Sequence, residues 1–262
     1  MSVALFAATT VFAQELTNKA GVPILPKQGD FAVGIDADPF LNYVGKLFSN
    51  AGATAPVLQV KDGFTVSGKY FLDDKTAVRA KLKFNYSSDT DVDYVGNSDW
   101  TATGDQTEAD RPKVEDETTT SSLGFGLGAG LEKRLGNSRL QFFYGAELGL
   151  GIGWNGDKAY TYGNALKSTD TGTQRLEDNN GTTFSFGVGA FAGVEYFVAP
   201  RISIGGEFGW GLSYSSTGQG STVDKIADGT KVTEKTTDGD SSSSAFSLQN
   251  APSGHLSINF YF

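Results

Sequence analysis

The chain offers few side chains that could do covalent or metal chemistry. It has one histidine, His255, one methionine and no cysteine. These counts exclude disulfides, thiolate chemistry and most metal sites. His255 lies two residues from Ser257, so the two side chains share one face of an extended strand. The sequence assigns them no carboxylate partner. We therefore interpret His255 as a structural histidine and predict no catalytic residue, no metal site and no cofactor.

A second set of side chains combines opposite charges, and three of its members, Arg79, Lys81 and Lys83, are spaced by two residues. The set consists of Lys69, Arg79, Lys81, Lys83, Glu147, Glu195 and Glu207. Charges taken out of water need partners. Whether these groups could meet depends on the elements that carry them.

The run from Leu140 to Trp154 shows what those elements are. Its even-numbered positions are apolar and its odd-numbered positions are mostly small or polar. A period of two indicates an extended strand with two different faces. This run is far longer than the ~5–6 residues of a typical globular strand. A tilted transmembrane strand needs only ~9–11 residues, so the run is long enough to span a bilayer.

Other segments alternate in the same way, and together they make eight strands. These segments are 31–36, 64–72, 76–86, 123–131, 184–198, 202–214 and 256–262. Their connections are long and short in turn, and three of the long ones are the polar segments 87–121, 155–181 and 215–244. Such asymmetry is typical of transmembrane barrels. We predict an all-β fold: an eight-stranded antiparallel transmembrane β-barrel with short periplasmic turns, four long extracellular loops and both termini periplasmic.

The terminal strand carries the most specific motif, with Gly254, Leu256, Ile258, Phe260 and Phe262 on it. With this motif, residues 30–262 resemble the small eight-stranded bacterial outer-membrane β-barrels of the OmpA-like and OmpW-like kind. The resemblance implies a bacterial outer-membrane location and contact with outer-membrane lipid and lipopolysaccharide. It also implies that the assembly machinery reads the terminal strand. Nothing follows Phe262, so the resemblance does not imply a peptidoglycan-binding domain.

The N-terminal residues divide into two predicted segments ahead of the barrel, which covers residues 30–262. Residues 1–13 read as a signal peptide cleaved after Ala13, with a truncated start because the positive n-region is missing. An apolar N-terminus is the alternative. Residues 14–29, with Pro23 and Pro26, read as an irregular periplasmic tether. The formal net charge of −9 argues against a nucleic-acid partner.

The interior of such a barrel can be filled by side chains. In a ring of eight strands, the basic residues of the second and third strands face the acidic residues of the fifth to seventh. We predict a cross-lumen ion-pair network that fills the barrel, with a gate in a narrow pore as the alternative. The loop-side half of the lumen is lined by glycines, including Gly126, Gly149 and Gly187. Inward aromatics, a folded-in loop or a small ligand would occupy that space.

Two loops have patterns of their own. A helical spacing is shown by Phe40, Leu41, Val44, Leu47 and Phe48. It predicts a short amphipathic helix that caps the rim or lies at the outer membrane interface, with binding of a partner protein as the alternative. Asp89–Asp93 resembles the start of a calcium loop, but Tyr94 stands where that loop needs glycine. We therefore interpret this segment as part of a solvated acidic loop, with weak, non-specific Ca²⁺ binding as the alternative.

These observations predict a non-enzymatic outer-membrane protein. Its surface loops would serve binding, an envelope-structural role or an accessory role in a larger assembly, with a possible protein partner. A narrow pore for small or apolar solutes is the alternative. A lipid A enzyme is disfavoured because His255 has no assignable acid.

Overall fold

The computed structural model describes residues 16–36, 64–248 and 253–262. The strands are β1 (Phe31–Asp36), β2 (Phe64–Asp73), β3 (Thr76–Gly96), β4 (Lys113–Leu135), β5 (Leu140–Thr161), β6 (Thr171–Asn179), β7 (Thr182–Ala199), β8 (Ile202–Thr217), β9 (Ser221–Asp228), β10 (Val232–Asp238), β11 (Ser243–Leu248) and β12 (Ser253–Tyr261). A short 3-10 helix covers Glu108–Asp110. Within the described ranges, no helix is long and apolar enough to cross a membrane. The amphipathic helix predicted between Phe40 and Phe48 lies outside the described residues.

Eight strands close into an antiparallel barrel, which confirms the predicted fold class. The ring runs β1, β2, β3, β4, β5, β7, β8 and β12, and β12 returns to β1. The closing ladder places Val33 opposite Phe260 and Ile35 opposite Ile258. Closure leaves the ring without the unpaired edges that an open sheet presents.

Alternation along each strand sorts side chains between the two faces of the wall. On β5, Leu148 and Leu150 point outward and are 54% and 52% exposed, whereas Phe143 points inward and is 5% exposed. Strands β4, β7 and β8 also present large exposed apolar side chains outward, including Leu127, Val188 and Trp210. An outer belt of this kind matches the hydrocarbon region of a bilayer.

The polar segments hold more strand than the sequence predicted. β3 runs on to Gly96 and pairs with β4 from Lys113, so Asp91 lies opposite Thr118 and Asp93 opposite Asp116. The interpretation of Asp89–Asp93 as part of a loop was wrong. Thr90, Val92 and Tyr94 do alternate with the three aspartates, but the segment that pairs with them, residues 115–121, is polar on both faces. A strand of that kind gives no hydropathic alternation that would distinguish it from a loop.

The outer ends of three barrel strands continue into a second sheet. Residues 88–96, 113–121 and 155–161 join β6, β9 and β10 in the order β10-β9-β6-β5-β4-β3, which we call the extension sheet. β6 pairs with β5 at Lys158 and Ala159. β9 then pairs with β6, and β10 pairs with β9. The segments predicted as the third and fourth loops therefore contribute four strands, since β11 also pairs with the outer end of β8.

Residues 16–29 fold across the turn end of the barrel. The Gly29 amide donates to the Phe71 carbonyl at 2.9 Å, and Thr17 bridges to Pro23. Ile24 is only 2% exposed. This segment, predicted as a tether, is irregular but docked, and we call it the turn-end segment.

Candidate functional site

An apolar layer closes the lumen at the turn end. It consists of Ile24, Ala32, Phe71, Ala77, Phe197 and Tyr261. Tyr261 lies with its ring centroid 5.2 Å from that of Phe197 and 6.0 Å from that of Phe71. Ile24 belongs to the turn-end segment and not to a barrel strand. This segment therefore contributes to the apolar layer at the turn end of the lumen.

Above the apolar layer lies a fully buried charge cluster centred on Arg134 and Glu195. The Arg134 guanidinium donates to Glu195 and, through Nε at 2.7 Å, to Glu132. It also donates to the Gln141 side-chain oxygen at 3.0 Å. None of the three charged side chains retains accessible surface. Inside a protein, a charge this deep is stable only when its partners and hydrogen bonds are complete.

Neutral donors complete the coordination of Glu195. Its carboxylate accepts hydrogen bonds from the hydroxyls of Ser203 and Tyr261 and, at 3.0 Å, from the Asn259 amide. These donors come from β8 and β12, on the far side of the lumen from β4. The cluster therefore ties opposite walls of the barrel together.

Lys69 and Arg79 carry the charge cluster across the lumen. Lys69 Nζ lies 3.1 Å from Glu132 and 3.5 Å from Glu195. Arg79 Nη1 lies 2.7 Å from Glu207, and its guanidinium carbon lies 3.9 Å from the ring centroid of Phe191. Cation–π contact of this kind favours a desolvated guanidinium.

The uppermost ion pairs are partly hydrated. Lys81 Nζ lies 2.9 Å from Glu147 and 3.2 Å from Glu207, with Lys81 and Glu147 side chains 23% and 30% exposed. Burial thus decreases from the turn end upward. We call the whole set the charged plug: Lys69, Arg79, Lys81, Glu132, Arg134, Glu147, Glu195 and Glu207.

Six of the seven charged residues singled out from the sequence meet in the charged plug. The exception is Lys83, which is exposed to the lumen and makes no ion pair within the described part of the chain. Sequence reasoning missed Glu132 and Arg134 because it ended the fourth strand at Leu131. The period of two that places Gly130 inward also places both of these residues inward, so the signal was present.

Two inward phenylalanine rings pack directly on glycines of the barrel wall, next to the charged plug. Phe191 lies over Gly145, and Phe143 lies over Gly193. A Cβ added at Gly145 would fall 2.4 Å from Phe191 Cζ, and one at Gly193 would fall 2.4 Å from Phe143 Cζ. Glycine is required at these positions because the rings occupy the space of a side chain.

The loop-side half of the lumen holds open space. One cavity of about 310 Å³ lies directly on the charged plug and includes Lys83, His255 and Phe143 in its lining. A second of about 400 Å³ lies above it and shares Lys83 and Gly126 with the first. Among the described residues, the lumen therefore holds open space on the loop side of the plug, and the apolar layer fills its turn end.

His255 lies on β12 beside the upper ion pairs of the plug. Its register partner on β8 is Glu207, whose carboxylate is held by Arg79 and Lys81. Ser257 accepts a hydrogen bond from the Asn259 amide at 3.2 Å. Among the described residues, no group of three or more His, Cys, Asp and Glu side chains is arranged to hold a metal ion.

The terminal strand lies in the barrel wall between β8 and β1. Its motif places Gly254 opposite Phe208 and Ile258 opposite both Ile204 and Ile35. Leu256, Phe260 and Phe262 are exposed on the outer face, and the Phe262 ring stacks on Phe31 at 5.0 Å. Recognition of this strand during assembly stays a prediction.

Several titratable side chains of the extension sheet form hydrogen bonds with neighbouring residues of the same sheet. Arg175 Nε donates to Asp224 at 2.6 Å, and this hydrogen bond raises the pKa of Arg175. A hydrogen bond to Glu115 raises the pKa of Tyr94. The backbone amides of Thr230 and Lys231 donate to Asp228 and, with the Thr230 hydroxyl, lower the pKa of its carboxyl.

Comparison with known proteins decides the family. Residues 53–220 match the family described as "Putative OmpA-OmpF-like porin family". The chain belongs to this OmpA-OmpF-like porin family. No curated protein matches the chain.

Two solved structures are similar to the chain at low identity. The outer membrane protein OprG from Pseudomonas aeruginosa is 9% identical, with a TM-score of 0.34, over 91% of this chain and 98% of that one. A major outer membrane protein from Thermus thermophilus is 11% identical, with a TM-score of 0.36, over 89% and 99%.

Membership of the OmpA-OmpF-like porin family and the closed barrel give the same coarse conclusion. The protein is an outer-membrane β-barrel that crosses the membrane with its strands. In this porin-family barrel, the charged plug and the apolar layer lie next to one another inside the lumen.

Proposed function

We propose that this barrel is a non-enzymatic, non-conducting member of the porin family that works through its extension sheet. It would serve as a binding, envelope-structural or accessory component of the outer membrane. One observation carries the proposal: Arg134, Glu132 and Glu195 are fully buried across the lumen, directly above the apolar layer. A permeating ion would have to break this network and pass Ile24, Phe71 and Tyr261.

The extension sheet supports a role at the surface because it is held in place by specific contacts. The Asn180 side chain donates at 2.9 Å to the carbonyls of Asn155 and Gly156, at the junction with the barrel. Asn164 donates to the Gly96 carbonyl at 3.0 Å across the sheet. A rigid platform of this kind lowers the entropic cost of binding a partner.

The edge of this platform is β10, which pairs only with β9 among the described strands. Its residues after Val232 are polar, and Glu234 and Lys235 are exposed. Charged side chains on an edge strand discourage indiscriminate pairing between chains. Selective recognition through polar side chains is therefore favoured over open-ended sheet growth.

The orientation that we propose places the extension sheet outside the cell and both termini in the periplasm. The short β2–β3, β4–β5 and β7–β8 turns then face the periplasm, as in other transmembrane barrels. In this orientation the turn-end segment closes the periplasmic end. The terminal strand, with Phe260 and Phe262, would present the assembly signal from the same side.

A narrow pore for small or apolar solutes is the alternative. The open cavities above the plug and the partial exposure of Lys81 and Glu147 favour it. On this view the plug would rearrange to admit solute. Sustained single-channel openings of the purified wild-type protein would support the pore and contradict the closed barrel.

Site-specific photocrosslinking in intact cells tests the surface role. A photoreactive phenylalanine analogue is placed at Thr236 on β10, and a matched control is placed at Ser138 in the β4–β5 turn; both positions are exposed. We expect discrete crosslinked products from Thr236 and none of the same mass from Ser138. Absence of crosslinks from Thr236 and from its neighbour Glu234, in cells where the barrel is inserted, would contradict a binding role for the sheet.

A further inference from the structure

We propose that the open part of the lumen is a binding site for a small anion, with Lys83 as the residue that recognises its charge. The site consists of the two cavities above the charged plug, which we call the vestibule. This proposal does not depend on the role of the extension sheet. The ligand class is a small carboxylate or phosphoryl compound.

The charge distribution singles out Lys83. In the lower cavity, the two lining carboxylates, Glu147 and Glu207, are already bound by Lys81 and Arg79. Lys83 lies one step higher on the same face of β3. It is exposed and forms no ion pair with any described residue. The vestibule floor therefore carries one ammonium group whose charge the plug does not neutralise.

The upper cavity reinforces this assignment. Among its described lining residues, Lys83 is the one charged side chain. The other inward groups are glycines, hydroxyls and amides, such as Asn85, Thr183 and Ser185. Neutral donors around a single cation suit a small anion, because they can satisfy its remaining lone pairs without adding opposing charge.

Inward glycines of β5 leave space in the vestibule for such an anion. A Cβ added at Gly149 would meet only the Leu127 carbonyl oxygen, at 3.9 Å, which is ordinary contact. Gly145, lower on the same strand, lacks that room because Phe191 lies against it. The change from filled to open lumen thus occurs between these two glycines on one face of β5.

The acidic residues of the extension sheet do not cancel the field of Lys83. Asp89, Asp91 and Asp93 share its strand face but lie six, eight and ten residues farther along β3. At about 3.3 Å per residue, their separations from Lys83 are about 20–33 Å. These distances exceed the screening length of about 8–10 Å at physiological ionic strength.

The test is a chemical-shift titration of the ¹⁵N-labelled full chain in detergent micelles. The probes are butyrate and inorganic phosphate, and butylamine is the control with reversed charge. We expect saturable shifts at the Gly126, Gly151 and Ser185 amides, with a dissociation constant of about 0.1–10 mM. A response to one probe alone assigns the site to carboxylates or to phosphoryl groups, and a response to both assigns it to small anions in general.

Two variants locate the interaction. Lys83→Gln should weaken anion binding by about tenfold or more, because the charge-assisted contact is lost. Lys113→Gln, at an exposed lysine on the extension sheet, should leave it unchanged. If Lys83→Gln does not fold, Gly149→Leu should lower affinity by filling the vestibule.

Three results would overturn the proposal. They are no saturable shift with either anion, equal binding of butylamine, and undiminished binding in whichever vestibule variant folds. Each of these leaves the photocrosslinking result for the extension sheet unaffected, so the two proposals fail separately.

Discussion

Arg134 and Glu195 form an ion pair inside the lumen in which neither side chain retains accessible surface. The pair joins β4 to β7, two strands that are separated in the ring by β5. Such pairs contribute little net stability when complete, but they are costly to break because the remaining charge is buried without its partner. The barrel therefore depends on the completeness of the charged plug.

Replacement of Arg134 tests this dependence. Arg134→Met should lower the free energy of unfolding by about 3–5 kcal/mol, because Glu195 and Glu132 lose a shared cation. Adding Glu195→Met should recover part of that loss, since Lys69 and Glu132 remain as a balanced pair. Denaturant unfolding of the barrel in detergent, followed by its change in gel mobility, measures both.

An exposed ion pair provides the control for Arg134. Lys167 contacts Asp99 with the two side chains 53% and 58% exposed. Exposed pairs are worth about 1 kcal/mol or less, so Lys167→Met should have little effect. Equal effects of Arg134→Met and Lys167→Met would contradict a structural role for the buried cluster.

Gly145 and Gly149 predict opposite responses to the same substitution. Gly145→Ala would place a Cβ within 2.4 Å of Phe191 Cζ and even closer to the Leu131 carbonyl oxygen, so we expect a loss of about 1–3 kcal/mol. Gly149→Ala meets open space and should be neutral or stabilising by up to about 1 kcal/mol. The unfolding midpoints of the two variants measure this difference. A larger loss of stability for Gly149→Ala than for Gly145→Ala would contradict the packing of Phe191 on Gly145.

Ile24 should control the docking of the turn-end segment. Ile24→Asp would bury a carboxylate in the apolar layer, so residues 16–29 should detach. Val22→Asp, at a position 38% exposed in the same segment, should leave them docked. Limited proteolysis is the readout: faster cleavage in the segment is expected for Ile24→Asp only, and equal cleavage of both variants would contradict the contact.

Cysteine labelling tests the orientation of the barrel. The chain has no cysteine, so each introduced thiol is unique. A membrane-impermeant maleimide applied to intact cells should label Thr236→Cys on β10 and should not label Ser138→Cys in the β4–β5 turn. After the outer membrane is permeabilised, both should react. Labelling of Ser138→Cys alone in intact cells would reverse the proposed topology.

The sequence predicted the barrel well because its evidence is periodic. Alternation along segments such as Leu140–Trp154 indicates which face of each strand meets lipid. The alternation of long and short connections indicates a transmembrane barrel. The charged residues of the plug followed from the same period, as with Arg79 and Glu207. Arg134 and Glu132 were missed because a strand boundary was set four residues too early at Leu131.

The extension sheet could not be predicted in this way. Parts of it are polar on both faces, as in residues 115–121, so hydropathy carries no signal there. Their pairing is specified by backbone ladders and by contacts distant in sequence, such as Arg175 with Asp224. The docking of Ile24 was likewise invisible, because one apolar residue in an irregular segment has no period.

Single-channel recording tests the closed barrel most directly. Purified wild-type protein, shown to be folded by its gel mobility, is inserted into planar lipid bilayers under an applied voltage. Closure by the charged plug and the apolar layer predicts a trace that does not differ from that of the bare bilayer. Frequent, long-lived openings in the wild type would contradict the account and would favour the narrow pore.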